Sequence, residues 1–177
     1  MSDFTVVTRM QLNQAVERIL HVPGNYNGGI LEMTIVVDME GEPDTCKEVL
    51  MNVAKSLKQH SEVFRNVRLN VVKWIGDTGM VNEVVPLISL TTSSFYEEFF
   101  EPGQKDEKKH ISFLMDYLKK FHARSKLILI VTEGRYQKDA DEEDSKRLQQ
   151  ALLPFLGKKF ARVLYTDETV TIENRKI

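Results

Sequence analysis

The amino-acid sequence predicts an α/β fold with a doubly wound, mostly parallel central sheet, one antiparallel edge strand and helices on both faces. Residues 30–37 and 127–131 are apolar nearly throughout, which is typical of parallel strands buried on both faces. Strand-like and helix-like segments alternate along the chain, and this favours crossover helices between parallel strands. Residues 76–79 form a turn between two further strand-like segments that is too short for a crossover, so they predict an antiparallel hairpin.

The composition is that of a folded protein with one domain. Of the 177 residues, 42% are hydrophobic and 28% are charged, which is enough apolar material for a single core. We divide the domain into an N-terminal helix and loop over 1–29, a core over 30–165 and a C-terminal strand and tail over 166–177. No internal repeat suggests a second domain.

The charge and the hydropathy pattern exclude several classes of partner. The formal net charge is -2, so nucleic acid is not expected as a partner, because neutralising phosphates needs an excess of positive charge. The apolar runs are too short to cross a bilayer, and the first residues lack a signal sequence. A single cysteine, Cys46, rules out an internal disulfide. We therefore expect a cytoplasmic protein that does not bind membranes.

Two amphipathic helices are predicted in the first third of the chain. The helix over 8–21 begins with Thr8 and Gln11 at capping-box spacing, and the helix over 45–60 begins with Thr45 in the same way. The apolar positions form one stripe on each helix, which predicts that each packs on the sheet. They are Leu12, Ala15, Val16, Ile19 and Leu20 on the first, and Cys46, Val49, Leu50, Val53, Ala54 and Leu57 on the second.

The middle of the chain predicts the hairpin and a short aromatic helix. Residues 67–75 form its first arm, and 80–90 contain its second arm, where Pro86 indicates an edge position. A helix over 94–100 follows. Its Phe95 and Phe99 are four residues apart, which is typical of residues that face the core. Tyr96 and Phe100 each follow one of them and are rotated along the helix surface, so we expect them to be exposed.

The remaining segments complete the alternation. They are a helix over 106–122, a strand over 126–132, a helix over 142–156 that ends at Gly157, a strand over 160–165 and a short strand over 169–172. Together the elements predict a Rossmann-like sheet.

Acidic residues follow both central strands. Asp38 ends the first, with Glu40 and Glu42 close behind, and Glu133 follows Thr132 at the end of the second. Parallel neighbouring strands end at the same edge of the sheet, which is where open α/β sheets usually bind ligands. We therefore expect Asp38 and Glu133 to lie close together at this edge.

The order of elements resembles that of the von Willebrand factor A domain over roughly residues 30–165. A central strand ends in Asp38, a helix and a hairpin follow, and a later apolar strand ends in Thr132-Glu133-Gly134. In that family the first strand ends in Asp-x-Ser-x-Ser and a later strand ends in Thr-Asp-Gly. A Thr from a loop between them completes a site for a divalent cation.

The chain departs from the family's site at several positions. Asp38 matches the first acid, but Glu40 and Glu42 replace the two serines, and Glu133 replaces the acid of the second motif. Residues 103–106, where the loop threonine is expected, contain none. The resemblance therefore implies a von Willebrand A-like fold with a degenerate metal-ion-dependent adhesion site.

The candidate metal ligands are Asp38, Glu40, Glu42 and Glu133, because Mg²⁺ and Mn²⁺ prefer carboxylate oxygens. The family's site mostly uses neutral hydroxyls and water, so up to four carboxylates would over-neutralise the ion. We interpret the four acids as a solvated rim that holds no cofactor. Cation-dependent ligand binding at Asp38 and Glu133 stays as an alternative.

A second alternative is a metal-dependent phosphotransferase or phosphatase-like enzyme. An apolar strand followed by Asp-x-Glu is similar to the start of haloacid dehalogenase-like phosphotransferases, with Thr132, Lys158 and the acidic pair at 167–168 in the later roles. However, Glu40 stands where that family has its general acid. The sequence also lacks HExxH, Gly-x-Ser-x-Gly and a phosphate loop. We therefore expect no enzymatic activity.

The sequence instead favours a non-enzymatic protein–protein interaction module. Its binding surface is predicted on the loop rim formed by residues 38–43, 91–106 and 133–144, where the acids create a negative potential that suits a basic partner. The predicted contact residues are Asp38, Glu40, Glu42, Tyr96, Phe100, Thr132 and Glu133. A structural subunit whose helix over 8–21 packs on a neighbouring chain is a further alternative, and the sequence does not predict the oligomeric state.

Overall fold

The computed structural model describes most of the chain in nine segments. They are residues 5–25, 30–39, 41–59, 67–75, 78–100, 125–134, 142–153, 158–166 and 169–173. Three predicted features lie outside these segments: the helix over 106–122, the loop at 103–106 before it, and the helix end at Gly157. Element labels below number the described elements in chain order.

A six-stranded sheet organises the molecule, in the order β3-β2-β1-β4-β5-β6. The strands are β1 (Leu31–Asp38), β2 (Val67–Ile75), β3 (Thr78–Asn82), β4 (Leu127–Thr132), β5 (Phe160–Tyr165) and β6 (Val170–Glu173). The pairs β1–β2, β1–β4 and β4–β5 are parallel. The predicted α/β fold with a mostly parallel sheet is therefore confirmed.

Both edges of the sheet are antiparallel. The predicted edge strand is β3, which pairs with β2. At the other edge β6 pairs with β5, which the prediction of one antiparallel strand did not include. The reason is a tight turn in which the Thr166 N–H donates to the Thr169 carbonyl at 2.8 Å. Such a turn leaves no room for a crossover, so β6 must run back along β5.

Four α-helices are described: α1 (Val6–Leu20), α2 (Pro43–Lys58), α3 (Ser93–Phe99) and α4 (Glu142–Leu152), with a 3₁₀ helix at Leu87–Thr91 before α3. Each predicted helix in these segments is found, with its ends shifted by a few residues.

None of the helices within the described segments is long and apolar enough to span a membrane.

The N-cap of helix α1 lies three residues before the predicted cap. Thr5 is the N-cap, and its Oγ1 accepts a hydrogen bond from the Thr8 N–H at 3.1 Å. Thr8, the predicted cap, is buried and donates its own hydroxyl to the Val170 carbonyl at 3.2 Å. The predicted capping residue is therefore wrong, because Thr8 instead ties α1 to the edge strand β6.

Helix α2 also begins earlier than predicted. Glu42 is the N-cap and Pro43 takes the first helical position, where a missing N–H costs nothing. The predicted cap, Thr45, is instead the residue whose N–H is capped. A glutamate cap was not expected, because Ser, Thr, Asp and Asn are the usual capping residues.

Pro86 does not lie in the edge strand, so that prediction is wrong. Strand β3 ends at Asn82, and Val84 then adopts a φ of 54°, which β-branched residues rarely do. The Val85 N–H donates to the Leu69 carbonyl at 2.8 Å and holds the chain against β2. The chain leaves the sheet edge here, and Pro86 precedes the 3₁₀ helix.

Both faces of the sheet are buried. On one face, alternate strand residues form a single core cluster with α1, α2 and α3 that includes Leu12, Ile35, Leu50, Val71, Phe99, Leu129 and Val163. On the opposite face Val36, Val72 and Ile130 are fully buried and in register. Of the predicted stripe of α1, Leu12, Ala15, Val16 and Ile19 are buried within this chain and Leu20 is half-buried.

We expect Leu12→Ala to destabilise the protein by about 2–5 kcal/mol, because Leu12 is fully buried between α1 and the sheet. Met10→Ala in the same helix is the control, since Met10 is 54% exposed, and should change the stability by about 0.5 kcal/mol or less. Urea unfolding measures both. Equal, small effects would show that α1 is not docked on the sheet.

Candidate functional site

The ends of β1 and β4 define a switch point in the sheet. After β1 the chain proceeds to β2 on one side, and β4 later pairs on the other side of β1. In open α/β sheets such a switch point forms a crevice at the carboxyl ends of the two strands, and ligands bind there. Asp38 and Thr132 stand at the two strand ends.

A buried hydrogen bond joins the two strand ends. The Thr132 hydroxyl donates to Asp38 Oδ2 at 2.7 Å, and the same hydroxyl oxygen accepts the Gly134 N–H at 2.9 Å. Asp38 is 1% exposed and Thr132 is fully buried. The predicted proximity of the strand ends is thus found, with Thr132 as the partner of Asp38 and Glu133 beside it.

The loop after β1 leads directly into the cap of α2. Glu42 Oε2 accepts hydrogen bonds from the Thr45 N–H at 3.1 Å and the Thr45 hydroxyl at 2.9 Å. The hydroxyl bond is the main cause that lowers the pKa of Glu42 below its usual 4.5, followed by the bond from the N–H. Because the pKa of Glu42 is lower in the folded chain than in the unfolded chain, the ionised Glu42 side chain stabilises the fold at pH values above its usual pKa. That contribution is lost as the pH falls through the lowered value.

Gly41 makes the closest approach in this loop. A Cβ at this position would overlap the Tyr165 hydroxyl and would lie 3.1 Å from its Cζ and 3.2 Å from the Glu133 Cδ. Gly41 is buried, so the loop packs directly on the end of β5 and on the first residue after β4. Only a residue without a side chain fits at this point.

Beneath the loop lie two protonated groups. Cys46 is 1% exposed, and burial raises the pKa of its thiol to about 12, while the charges of Asp38 and Glu133 add to that shift. Burial likewise raises the pKa of Tyr165, whose buried hydroxyl lies next to the Cys46 thiol. The prediction that Cys46 faces the core is confirmed, and neither group is ionised near neutral pH.

The structure separates the predicted contact residues into buried and exposed ones. Asp38 and Thr132 are buried, so they support the rim from inside and do not offer a contact surface. The expected exposure of Tyr96 is wrong: it is 2% exposed, because its hydroxyl donates to the Leu90 carbonyl at 2.6 Å. Phe100 is half-buried and stacks on Tyr96 with ring centroids 6.1 Å apart.

The other predicted residues lie nearer to the surface. Glu42 is exposed at the start of α2, and Glu133 is half-buried after β4. Glu40 lies outside the described residues. Phe99 is buried as predicted, and its ring accepts the Lys73 ammonium at 4.8 Å from the centroid. Of the predicted contact residues that the structure describes, Glu42 is therefore the exposed one and Glu133 is partly accessible.

The candidate metal ligands do not assemble into a recognisable donor set in the described segments. No group of three His, Cys, Asp or Glu side chains there could hold an ion. One oxygen each of Asp38 and Glu42 already accepts hydrogen bonds from threonine. Glu40, another of the four candidate ligands, lies outside the described residues.

Gly41 and Tyr165 are site residues that the sequence reasoning missed. A glycine in an acidic loop directly after a buried strand could have indicated close backbone approach. The aromatic residue at the end of the last parallel strand gave no comparable signal, because its partner is distant in sequence.

Comparison with known proteins gives little similarity. No model of a known protein family matches the chain, and no curated protein matches it. Among solved structures, the pilus adhesin SpaC from Lactobacillus rhamnosus GG in its open conformation is similar, with a TM-score of 0.41 and 12% identity. The alignment covers 62% of this chain but spans 15% of the adhesin chain. A likeness this distant supports no functional inference.

We expect Thr132→Val to cost about 1.5–3 kcal/mol, because it removes a hydrogen bond to a buried carboxylate. Thr34→Val is the control on the same sheet, since Thr34 is buried and bonds the neutral Ser125 hydroxyl at 2.6 Å. It should cost about 0.5–1.5 kcal/mol in urea unfolding. A control as costly as Thr132→Val would show that the Asp38 bond has no special weight.

We expect Gly41→Ala to cost about 1–3 kcal/mol by overpacking against Tyr165, and Tyr165→Phe to remove much of that cost. A double-mutant cycle measures the coupling, which should reach about 1 kcal/mol. Gly24→Ala is the control, because Gly24 has a φ of +88° and nothing within 4 Å of an added Cβ. Its cost should add to that of Tyr165→Phe without coupling, and an uncoupled Gly41 would refute the contact.

Proposed function

We propose that this chain is a non-enzymatic protein-interaction module of the von Willebrand A-like type, which binds a basic partner through the acidic rim. The observation that carries the proposal is that the acids of the motif divide into two roles. Asp38 is buried and accepts a hydrogen bond from the Thr132 hydroxyl, whereas Glu42 accepts hydrogen bonds from Thr45 and stays exposed. The charges left to face solvent create a negative surface at the switch point.

Exposed acids lie on two elements of the predicted rim, the start of α2 and helix α3. Glu42 and Asp44 are exposed at the start of α2, and Glu133 is half-buried beside them. Helix α3 adds the exposed Glu97 and Glu98. Such a cluster attracts a basic surface and speeds its association, an effect that falls with ionic strength.

The state of the buried groups supports binding over catalysis. Cys46 is the natural nucleophile near the crevice, but its thiol is buried with a pKa raised to about 12. A nucleophilic cysteine needs the thiolate, which cationic neighbours favour. Here the neighbours of Cys46 are the carboxylates of Asp38 and Glu133, which oppose ionisation.

We expect charge reversal of the rim to weaken binding to Lys- and Arg-rich peptides. The rim variant is Asp44→Lys with Glu97→Lys, and its affinity for the tightest peptide of a basic array should fall about tenfold. The control, Glu17→Lys with Glu83→Lys, makes the same change in net charge at exposed acids of α1 and of the segment after β3. Equal losses in the two variants would show that only net charge matters and would contradict a rim site.

We expect Mg²⁺, Mn²⁺ and EDTA to leave the unfolding temperature unchanged. A cation at about 100 times its Kd would add about 2.7 kcal/mol, or about 5–10 °C for a domain of this size. A rise of that size, lost in Asp38→Asn, would replace our proposal with cation-dependent binding. Turnover of p-nitrophenyl phosphate in the same samples would favour the phosphotransferase alternative.

A further inference from the structure

Strand β6 is an edge of the sheet, and the turn before it determines which main-chain groups point outward. The Thr166 N–H donates to the Thr169 carbonyl, so these two residues form a hydrogen-bonded pair. Along an antiparallel pair of strands, hydrogen-bonded and non-hydrogen-bonded pairs alternate. Thr171 and Glu173 therefore bond to β5, whereas the N–H and carbonyl groups of Val170 and Ile172 point away from it.

The outward groups of β6 are suited to a second strand. The Val170 carbonyl accepts the Thr8 hydroxyl at 3.2 Å, but no described residue supplies a hydrogen-bond partner for the N–H or the carbonyl of Ile172. An extended chain repeats its own N–H and carbonyl groups at the spacing of such an edge, and a helix does not, because its groups bond within the helix. The edge therefore fits a β-strand.

Strand β6 lacks the features that usually prevent strand addition. Edge strands are commonly protected by Pro, by Lys or by a bulge. The four residues Val170–Glu173 include no Pro, Gly or Lys, and all of them pair with β5 in one continuous register. The one charged side chain, Glu173, is bound by Arg162, with 3.2 Å between Oε2 and Nε. No charge or kink in β6 therefore opposes the approach of another strand.

Helix α1 covers one end of this edge and leaves exposed apolar side chains beside it. Val6, Val7 and Met10 are 72%, 63% and 54% exposed, and they lie within one turn of Thr8, which bonds Val170. The helix contacts β6 and also β4, so it runs inward across the sheet. It therefore leaves the edge in the direction of β4 and adds an apolar surface at the Val170 end.

The sequence of β6 is complementary to itself in one antiparallel register. When Thr171 lies opposite Thr171 of a second copy, Val170 of each copy lies opposite Ile172 of the other. Their outward groups then form four main-chain hydrogen bonds, and the Val170 carbonyl has a second lone pair besides the one that the Thr8 hydroxyl uses. Thr–Thr pairs and pairs of β-branched apolar residues are favourable across strands. Glu173 lies opposite Thr169, so no like charges meet.

We propose that β6 docks on β6 of a second copy of this chain, antiparallel and centred on Thr171, so that the two sheets become continuous. The contact closes after two copies, because each uses its own β6 edge. Four strand residues bury far less than the about 1,200–2,000 Å² of a stable interface, so the pairing is weak, with a Kd of about 0.1–1 mM. The acidic rim lies at the ends of other strands and is not needed for this contact.

Sedimentation velocity and NMR between about 10 μM and about 1 mM test the proposal. We expect the weight-average mass to rise above that of the monomer. The amide shifts of Val170, Thr171 and Ile172 should move with concentration, whereas those of β3 at the opposite edge should not. A monomer over the whole range would overturn the inference, and so would association that leaves the three β6 amides unmoved.

Charge variants at the centre of the register test the two-fold arrangement. Thr171 is exposed, so Thr171→Lys and Thr171→Glu should fold, which far-UV circular dichroism checks. Each alone should associate about two- to fivefold more weakly than the wild type, because like charges lie directly opposite. An equimolar mixture should associate about two- to fivefold more tightly than either variant alone, since Lys then faces Glu.

Ser94→Lys is the matched control, because it makes the same change in net charge at an exposed residue of α3. It should associate like the wild type, as should the rim variant Asp44→Lys with Glu97→Lys, whose binding of basic peptides is the separate test of the proposed function. A mixture no tighter than its components, or an equal loss in Ser94→Lys, would overturn the inference. If both Thr171 variants fail to fold, the concentration dependence of the wild-type β6 amides decides the matter.

Discussion

The hydrogen bond from the Thr132 hydroxyl to Asp38 is the constraint on which the candidate site depends. It joins β1 and β4 at the point where the chain connections diverge, and it is sealed from solvent at both residues. A carboxylate in such a place must be hydrogen-bonded, since an isolated buried charge costs several kcal/mol. Glu133 and the loop that carries Gly41 and Glu42 directly follow the two residues that this bond joins.

Buried residues lie close together behind the acidic strand ends. Gly41 rests on the Tyr165 hydroxyl, Cys46 lies beside that hydroxyl, and the buried Tyr96 is close enough to Cys46 for their charges to interact. All three side chains stay neutral because burial opposes their ionisation. Cys46 and Tyr165 lie close to the carboxylates of Asp38 and Glu133, whose charges further oppose the ionisation of both groups.

The sequence predicted the sheet well because its central strands are apolar on both faces, and no other element has that pattern. It predicted the ends of helices poorly, since Glu42 caps α2 and Thr8 bonds a strand 162 residues away. Tyr96 was misplaced for a similar reason: its hydroxyl finds the Leu90 carbonyl, which helical spacing does not reveal. Of the candidate site, the two strand ends were predictable, whereas the contact of Gly41 with Tyr165 depends on long-range packing.

The separation of Asp38 and Thr132 in the sequence has a kinetic consequence. The two residues are 94 positions apart, while β1 and β2 are consecutive described strands of the chain with α2 between them. Closing a long loop costs entropy before any contact compensates it, so non-local parallel pairing is slow. The crevice cannot exist in a partly folded chain that has paired β1 with β2 but not with β4. The Thr132–Asp38 hydrogen bond therefore reports that the two halves of the sheet have joined.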